Sequence, residues 1–124
     1  MVKPLLQRSH IEAIARTFDV LADDSRLLIL HTLQTRACYV HELCQKTDLK
    51  QANVSKQLGI LKQAGLVGAE RQGNLVHYYI SEPMIFDICK LVCEKIERDA
   101  RRRFEEFAPT ARRTRSKRRS IEKD

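Results

Sequence analysis

The sequence predicts a mainly helical α+β fold, with about five helices and a two-stranded β-hairpin, and three observations carry that prediction. Apolar residues recur at helical spacing over most of the 124 residues. Two short alternating runs flank Gln72-Gly73-Asn74, the pattern of a hairpin with glycine in its turn. A short helix, a turn and a longer helix stand directly before that hairpin.

Taken in order, the first amphipathic segment covers about Gln7 to Leu21, where Ile11, Ile14, Ala15, Phe18 and Leu21 make one apolar stripe. Asp23-Asp24-Ser25 supplies N-cap chemistry for a second helix reaching about Gln34, and its density of Leu and Ile implies burial on most sides. Cys38-Tyr39-Val40 favours a brief strand or an extended entry to the next helix. A helix over Val40 to Lys46, a turn at Thr47-Asp48-Leu49-Lys50 and a helix from Gln51 to Ala64 follow, with Gly65 where a left-handed C′ residue belongs. The runs Leu66 to Arg71 and Leu75 to Ile80 form the hairpin. Ser81 as a cap and Pro83 in the first turn open the last helix. That helix carries Ile85, Phe86, Ile88, Cys89, Val92, Cys93, Ile96 and Ala100 on one face and extends toward Phe104 or Phe107.

Composition sets the class. With 43% hydrophobic residues the chain can bury a core, and its length suits one domain over residues 1–107. Residues 108–124 hold seven Lys and Arg against Glu122 and Asp124, a local +5 out of the chain's +7. This stretch has little apolar content and reads as a disordered basic tail, either a phosphate-contacting arm or a solubilising one. No run approaches the roughly 18 apolar residues of a membrane span, and the start of the chain lacks a secretory h-region. The expectation is a cytoplasmic protein with reduced thiols at Cys38, Cys44, Cys89 and Cys93. An enzyme is disfavoured: there is no P-loop, dinucleotide turn, HExxH or nucleophile elbow.

Helix, turn, helix and hairpin together make a winged helix-turn-helix pattern, which points to double-stranded DNA as partner. In the second helix of the pair, Val54, Leu58 and Leu61 face inward. That spacing places Gln51, Asn53, Ser55, Lys56 and Gln57 around the outer face, where they can meet base edges and phosphates. Arg71, Gln72 and Asn74 stand near the wing tip. A solvated helix face usually mixes both charge signs, but no acid occurs between Lys50 and Val67.

The segments LADDSRLLILHTL, VHELCQKTDLKQANVSKQLGILKQAGLV and RQGNLVHYYI resemble the ArsR/SmtB family of winged-helix repressors over roughly residues 10–97. The resemblance implies a homodimer joined through the first and last helices. It also implies binding to an imperfect inverted repeat and release by an inducer, commonly a metal or metalloid ion. Lys50 departs from the Ser often found there as N-cap and suggests a phosphate contact.

Family resemblance does not name the inducer. The positions matching the zinc-sensing ligands are Glu82, Met84, Lys95 and Arg98, of which only the first could coordinate, so that site is absent. Against the arsenic and cadmium pattern only Cys44 coincides with a thiol; His41 falls where another would be, and Cys38 is displaced by one residue. Cys38, His41 and Cys44 read either as a weak metal site or as small packed residues beside an exposed histidine. Cys89 and Cys93 are i, i+4 neighbours that could chelate As(III) or another thiophilic ion, or be oxidised together, from the last helix. The alternative is that they only pack, in a DNA-binding or architectural protein with no inducer. His10, His31 and His77 carry no ligand spacing.

Overall fold

The computed structural model describes residues 6–107; the basic tail expected over 108–124 lies outside them. Where the sequence suggests one domain through residue 107, contacts divide the chain between Pro83 and Met84 into two units. The first holds α1 (Arg8–Leu21), α2 (Asp24–Thr35), β1 (Cys38–Tyr39), α3 (Val40–Thr47), α4 (Gln51–Gln63), β2 (Val67–Gln72) and β3 (Leu75–Ile80). The second holds the long helix α5 (Ile85–Phe107).

The core of the first unit is built where three helices turn apolar residues toward one another. Ile29, Leu30 and Leu33 come from α2, Leu43 from α3, and Val54, Leu58 and Leu61 from α4, all at or near zero exposure. Each such side chain stabilises the fold by roughly 1.5–3 kcal/mol through burial. The expectation that α2 is buried on most sides is too broad. Leu28, about 200° round the helix from Leu30, is 44% exposed.

The helix ends follow their local chemistry. Asp23 caps α2 by accepting a hydrogen bond from the Arg26 backbone N–H at 3.0 Å. At the start of α3 the Tyr39 N–H donates to Glu42 Oε1 at 2.9 Å, the returning half of a capping box. Asp48 closes α3 in the left-handed region at φ 61°, a conformation that a short Asp side chain tolerates. Gly65 follows α4 at φ 79°, as the C′ position requires.

The brief strand expected over residues 38–40 joins the hairpin, making a three-stranded sheet where sequence suggested a two-stranded wing. β1 pairs antiparallel with β3 through Cys38–Tyr78 and Tyr39–His77, giving the order β1-β3-β2. Two β-favouring residues suffice because β3 offers them an open edge. In the hairpin Gln72 pairs with Leu75, leaving Gly73 and Asn74 as a two-residue turn with Gly73 at φ 65°. Hairpin turns with glycine first among the central residues need that positive φ.

The start of α5 differs from expectation. Ser81 does not cap it: its hydroxyl donates to the Gly65 carbonyl at 2.9 Å, and its N–H donates to the Leu66 carbonyl at 3.0 Å. Those bonds hold Ser81 against the β2 entry, so Pro83 falls in a turn and the helix begins at Ile85. The Met84 carbonyl accepts its first bond, from the Asp87 N–H at 3.0 Å. Within α5, Asp99 pairs with Lys95 and Arg102 on the exposed surface.

Two glycines of opposite role allow a direct test. A methyl added at Gly59 or at Gly65 meets nothing within 4 Å, so only backbone conformation distinguishes the two substitutions. Gly59→Ala, inside α4, is expected to raise stability by roughly 0.5–1 kcal/mol. Gly65→Ala is expected to lower it by roughly 1–2 kcal/mol, since L-residues resist the left-handed region. Urea denaturation of the two variants, read against the parent, checks both signs.

Candidate nucleic-acid interface

α3, a turn over Asp48 to Lys50, and α4 form a helix-turn-helix, and the β2–β3 hairpin is its wing. Lys50 occupies the N-cap of α4 without a side-chain cap bond, and the first turn has no acid. The backbone N–H groups of Gln51, Ala52 and Asn53 therefore have no acceptor within the helix, and the positive end of the helix dipole is uncompensated. Gln51, Ser55 and Lys56 are exposed on the outer face beside it. An acid-free face with free amide donors at its start is chemically suited to phosphate oxygens and base edges.

Gln57 is not on that face. It is 6% exposed, its Oε1 accepts from Arg26 Nη1 at 2.9 Å, and its Nε2 donates to Asn53 Oδ1 at 2.8 Å. Val54, Gln57, Leu58 and Leu61 form one i, i+3, i+4, i+7 stripe, and Gln57 fills the i+3 position. Asn53 lies half-buried at the edge of the outer face with its oxygen already engaged. Sequence reasoning missed Arg26, whose role needed the fold. Only the spacing of Gln57 from Val54 could have pointed to it.

At the wing, Arg71, Gln72 and Asn74 are exposed. The Tyr39 hydroxyl donates to Gln72 Oε1 at 2.9 Å, and Gln72 Nε2 approaches Glu70 Oε1 at 3.4 Å. Gln72 thus has both amide atoms engaged and ties the wing to β1, while Arg71 and Asn74 project without such bonds among the described residues. Tyr39 also packs its ring on His77, with centroids 4.5 Å apart. Between α3, the start of α4 and the wing lies an open concavity of about 540 Å³, lined by Tyr39, His41, Cys44, Gln51, Asn74 and Tyr78 among others.

The thiols separate. Cys38 is fully buried on β1, with its Sγ 3.5 Å from the Arg36 carbonyl and 3.9 Å from Lys46 Nζ. Strand pairing turns it into the core, away from His41 and Cys44, which line the concavity; the three do not form one site. No group of three or more His, Cys, Asp or Glu among the described residues could hold a metal ion. On α5, Cys89 is half-buried and Cys93 exposed, its thiol 3.9 Å from Glu97 Oε2. Burial pushes the Cys89 thiol above the usual cysteine range. Near α3, Glu42 is held below the usual carboxylate range, first by the Tyr39 N–H and then by Arg36, whose Nη2 lies 2.6 Å from Glu42 Oε2.

The fold and this surface define a winged helix-turn-helix DNA-binding module. Residues 23–68 match the family model described as bacterial regulatory protein, arsR family. The uncharacterized HTH-type transcriptional regulator Rv0081 of Mycobacterium tuberculosis is 40% identical over 75 residues, 60% of this chain and 66% of that protein. The chain thus spans just under two thirds of that relative's length. The crystal structure of Rv0081 superposes with a TM-score of 0.70 at 32% identity, covering 79% of this chain and 99% of that one. The cadmium resistance transcriptional regulatory protein CadC of Listeria innocua is 31% identical over 91 residues, 72% of this chain and 76% of CadC. A homodimeric winged helix-turn-helix domain from Mycobacterium bovis, solved by NMR, gives a TM-score of 0.63 at 26% identity over 76% of this chain and 92% of its own. The chain belongs to the ArsR family of DNA-binding transcriptional regulators.

Two outcomes follow for the ionisable groups. Glu42 has a depressed pKa in the fold, so its stabilising contacts are fully present above the ordinary carboxylate range. They are lost as pH falls through its lowered value. The stability difference between the parent and Glu42→Gln is therefore expected to be constant near neutrality and to shrink toward zero in acid, as urea titrations at stepped pH would show. Iodoacetamide is expected to leave Cys38 unmodified in the native protein and to label it only after denaturation, as peptide mass spectrometry would show.

Proposed function

We propose that the chain is a repressor that binds an imperfect inverted repeat as a homodimer, with the N-terminal half of α4 in the major groove. The observation that carries this reading is the outer face of α4. Lys50, Gln51, Ser55 and Lys56 stand exposed together with no acid among them, and the wing rises next to them. In such an arrangement polar side chains select bases while Lys50, Lys56, Arg71 and the backbone amides hold phosphates. The basic segment 108–124 would add sequence-independent attraction.

Homodimerisation through α1 and α5 is supported by what those helices leave uncovered in a single chain. On α1, Ile11, Ile14 and Phe18 are exposed at helical spacing; on α5, Leu91, Val92, Ile96 and Phe104 are. Large apolar side chains left exposed along a helix mark an association face, and the M. bovis relative is described as homodimeric.

For the inducer, the reading is a thiophilic ion such as As(III), or a thiol-reactive species, acting at Cys89 and Cys93. Two thiols at i, i+4 with one exposed offer soft ligands on the same helix that would pair between protomers. The name of CadC associates a relative with cadmium. One observation favours the alternative, in which the thiols only pack and no inducer exists: burial raises the Cys89 pKa, which reduces its thiolate fraction.

Fluorescence anisotropy on an operator duplex tests these statements together. The reduced protein is expected to bind one inverted repeat in strong preference to random duplex, and to release it on titration with As(III), Cd(II) or an oxidant. Cys89→Ser/Cys93→Ser is expected to bind equally well and to resist release; release with unchanged midpoint would exclude these thiols as the sensor. Lys56→Ala is expected to weaken all duplexes alike and to reduce the salt slope by about 1 per protomer.

A further inference from the structure

Arg26 lies at a junction that reaches the reading surface. Its Nε donates to the Val20 carbonyl at 2.5 Å and its Nη2 to the Asp19 carbonyl at 3.3 Å, both at the end of α1. Its Nη1 donates to Gln57 Oε1 on α4 at 2.9 Å. Gln57 Nε2 in turn donates to Asn53 Oδ1 at 2.8 Å. A guanidinium only donates, whereas an amide side chain offers one acceptor and one donor end. The direction of every bond in this chain is therefore dictated by its first member.

We propose that Arg26, acting through Gln57, fixes the polarity with which Asn53 meets DNA, so that Asn53 presents only its amide donor and selects an acceptor-bearing base. This rests on the reading that the outer face of α4 contacts base edges. Because Arg26 offers only N–H groups, Gln57 must turn its oxygen toward α2. Its amide nitrogen then faces Asn53, which must turn its own oxygen inward. Near-complete burial of Gln57 makes the opposite orientation costly, since two donors would face each other without water to separate them. Asn53 Nδ2 has no hydrogen-bond partner among the described residues and lies at the edge of the outer face.

The consequence concerns base choice. A free asparagine favours adenine by a bidentate pair that uses its oxygen for N6 and its nitrogen for N7. Here the oxygen is already engaged. What faces outward is the amide NH2, whose two N–H donors are best met by guanine with acceptors at both O6 and N7, are met once by adenine N7 or thymine O4, and find no acceptor on cytosine. Arg26 and Gln57 are thus positioning residues, and Asn53 a specificity-determining one.

The test enriches random operator duplexes on the full-length protein, its Asn53→Ala, Asn53→Asp and Gln57→Glu variants, with thermal melts to show that each is folded. The parent is expected to favour guanine at one position per half-site, by roughly five- to tenfold, the size of one net hydrogen bond. Asn53→Ala is expected to erase preference at that position alone. Asn53→Asp presents only acceptors, and is expected to switch the preference there to adenine or cytosine. Gln57→Glu keeps an acceptor for Arg26 but obliges Asn53 to donate inward, and is expected to make the same switch. If burial of the new carboxylate unfolds Gln57→Glu, Asn53→Asp decides alone. An unchanged base at that position in Asn53→Ala or Asn53→Asp, or a loss spread over all positions, overturns the relay and leaves the regulator reading standing. A folded Gln57→Glu that keeps the parent's base also overturns it. A parent protein that enriches no sequence overturns the regulator reading, and this inference with it.

Discussion

The burial of one polar side chain, Gln57, against Arg26 constrains how α4 presents its outer face. Val54, Leu58 and Leu61 hold α4 on the core by hydrophobic contact, which is strong but tolerant of small rotations about the helix axis. Gln57 shares their stripe and cannot be buried without partners, since an unpaired amide would cost about 1–3 kcal/mol. Arg26 satisfies it and is itself held by two carbonyls at the end of α1. The hydrophobic contacts keep α4 in place, and this directional bond fixes its rotation. The outer face from Lys50 to Lys56 inherits its orientation from both.

Most of the first unit was legible because its signals are local. The Asp23 cap, the Gly65 stop and the Gly73 turn each depend on residues within a few positions, and the structure has them where the chemistry puts them. The same was true of the helix pair before the wing. What was not legible depends on partners distant in sequence. A glutamine one helical step from Val54 reads as surface unless Arg26 is known to stand opposite. Cys38 and Tyr39 read as a brief strand or extended entry, but not as part of the hairpin's sheet, because the edge of β3 that receives them lies almost forty residues on. Ser81 has the composition of a helix cap, but the Gly65 carbonyl competes for its hydroxyl and wins.

The thiols show the same limit from the chemical side. The arsenic and cadmium pattern of the family grouped Cys38, His41 and Cys44; strand pairing sends Cys38 into the core and leaves the other two beside the wing. Spacing grouped Cys89 and Cys93, and there the helix keeps them on neighbouring turns, one half-buried and one exposed. On the proposed reading, the candidate sensor thiols on α5 and the helix-turn-helix fall in different units of the chain, which contacts divide between Pro83 and Met84. In a homodimer a change at α5 would act by altering the spacing of two α4 helices rather than the chemistry of either.

Amide chemical-shift mapping of the full-length protein with its enriched operator duplex bears most directly on the claim that α4, held by its inner stripe, is the reading element. The account predicts the largest perturbations from Lys50 to Lys56 and from Arg71 to Asn74, with Ile29, Leu30 and Leu33 of the core nearly unmoved. Perturbations centred elsewhere, with the α4 amides unchanged at saturation, would contradict it.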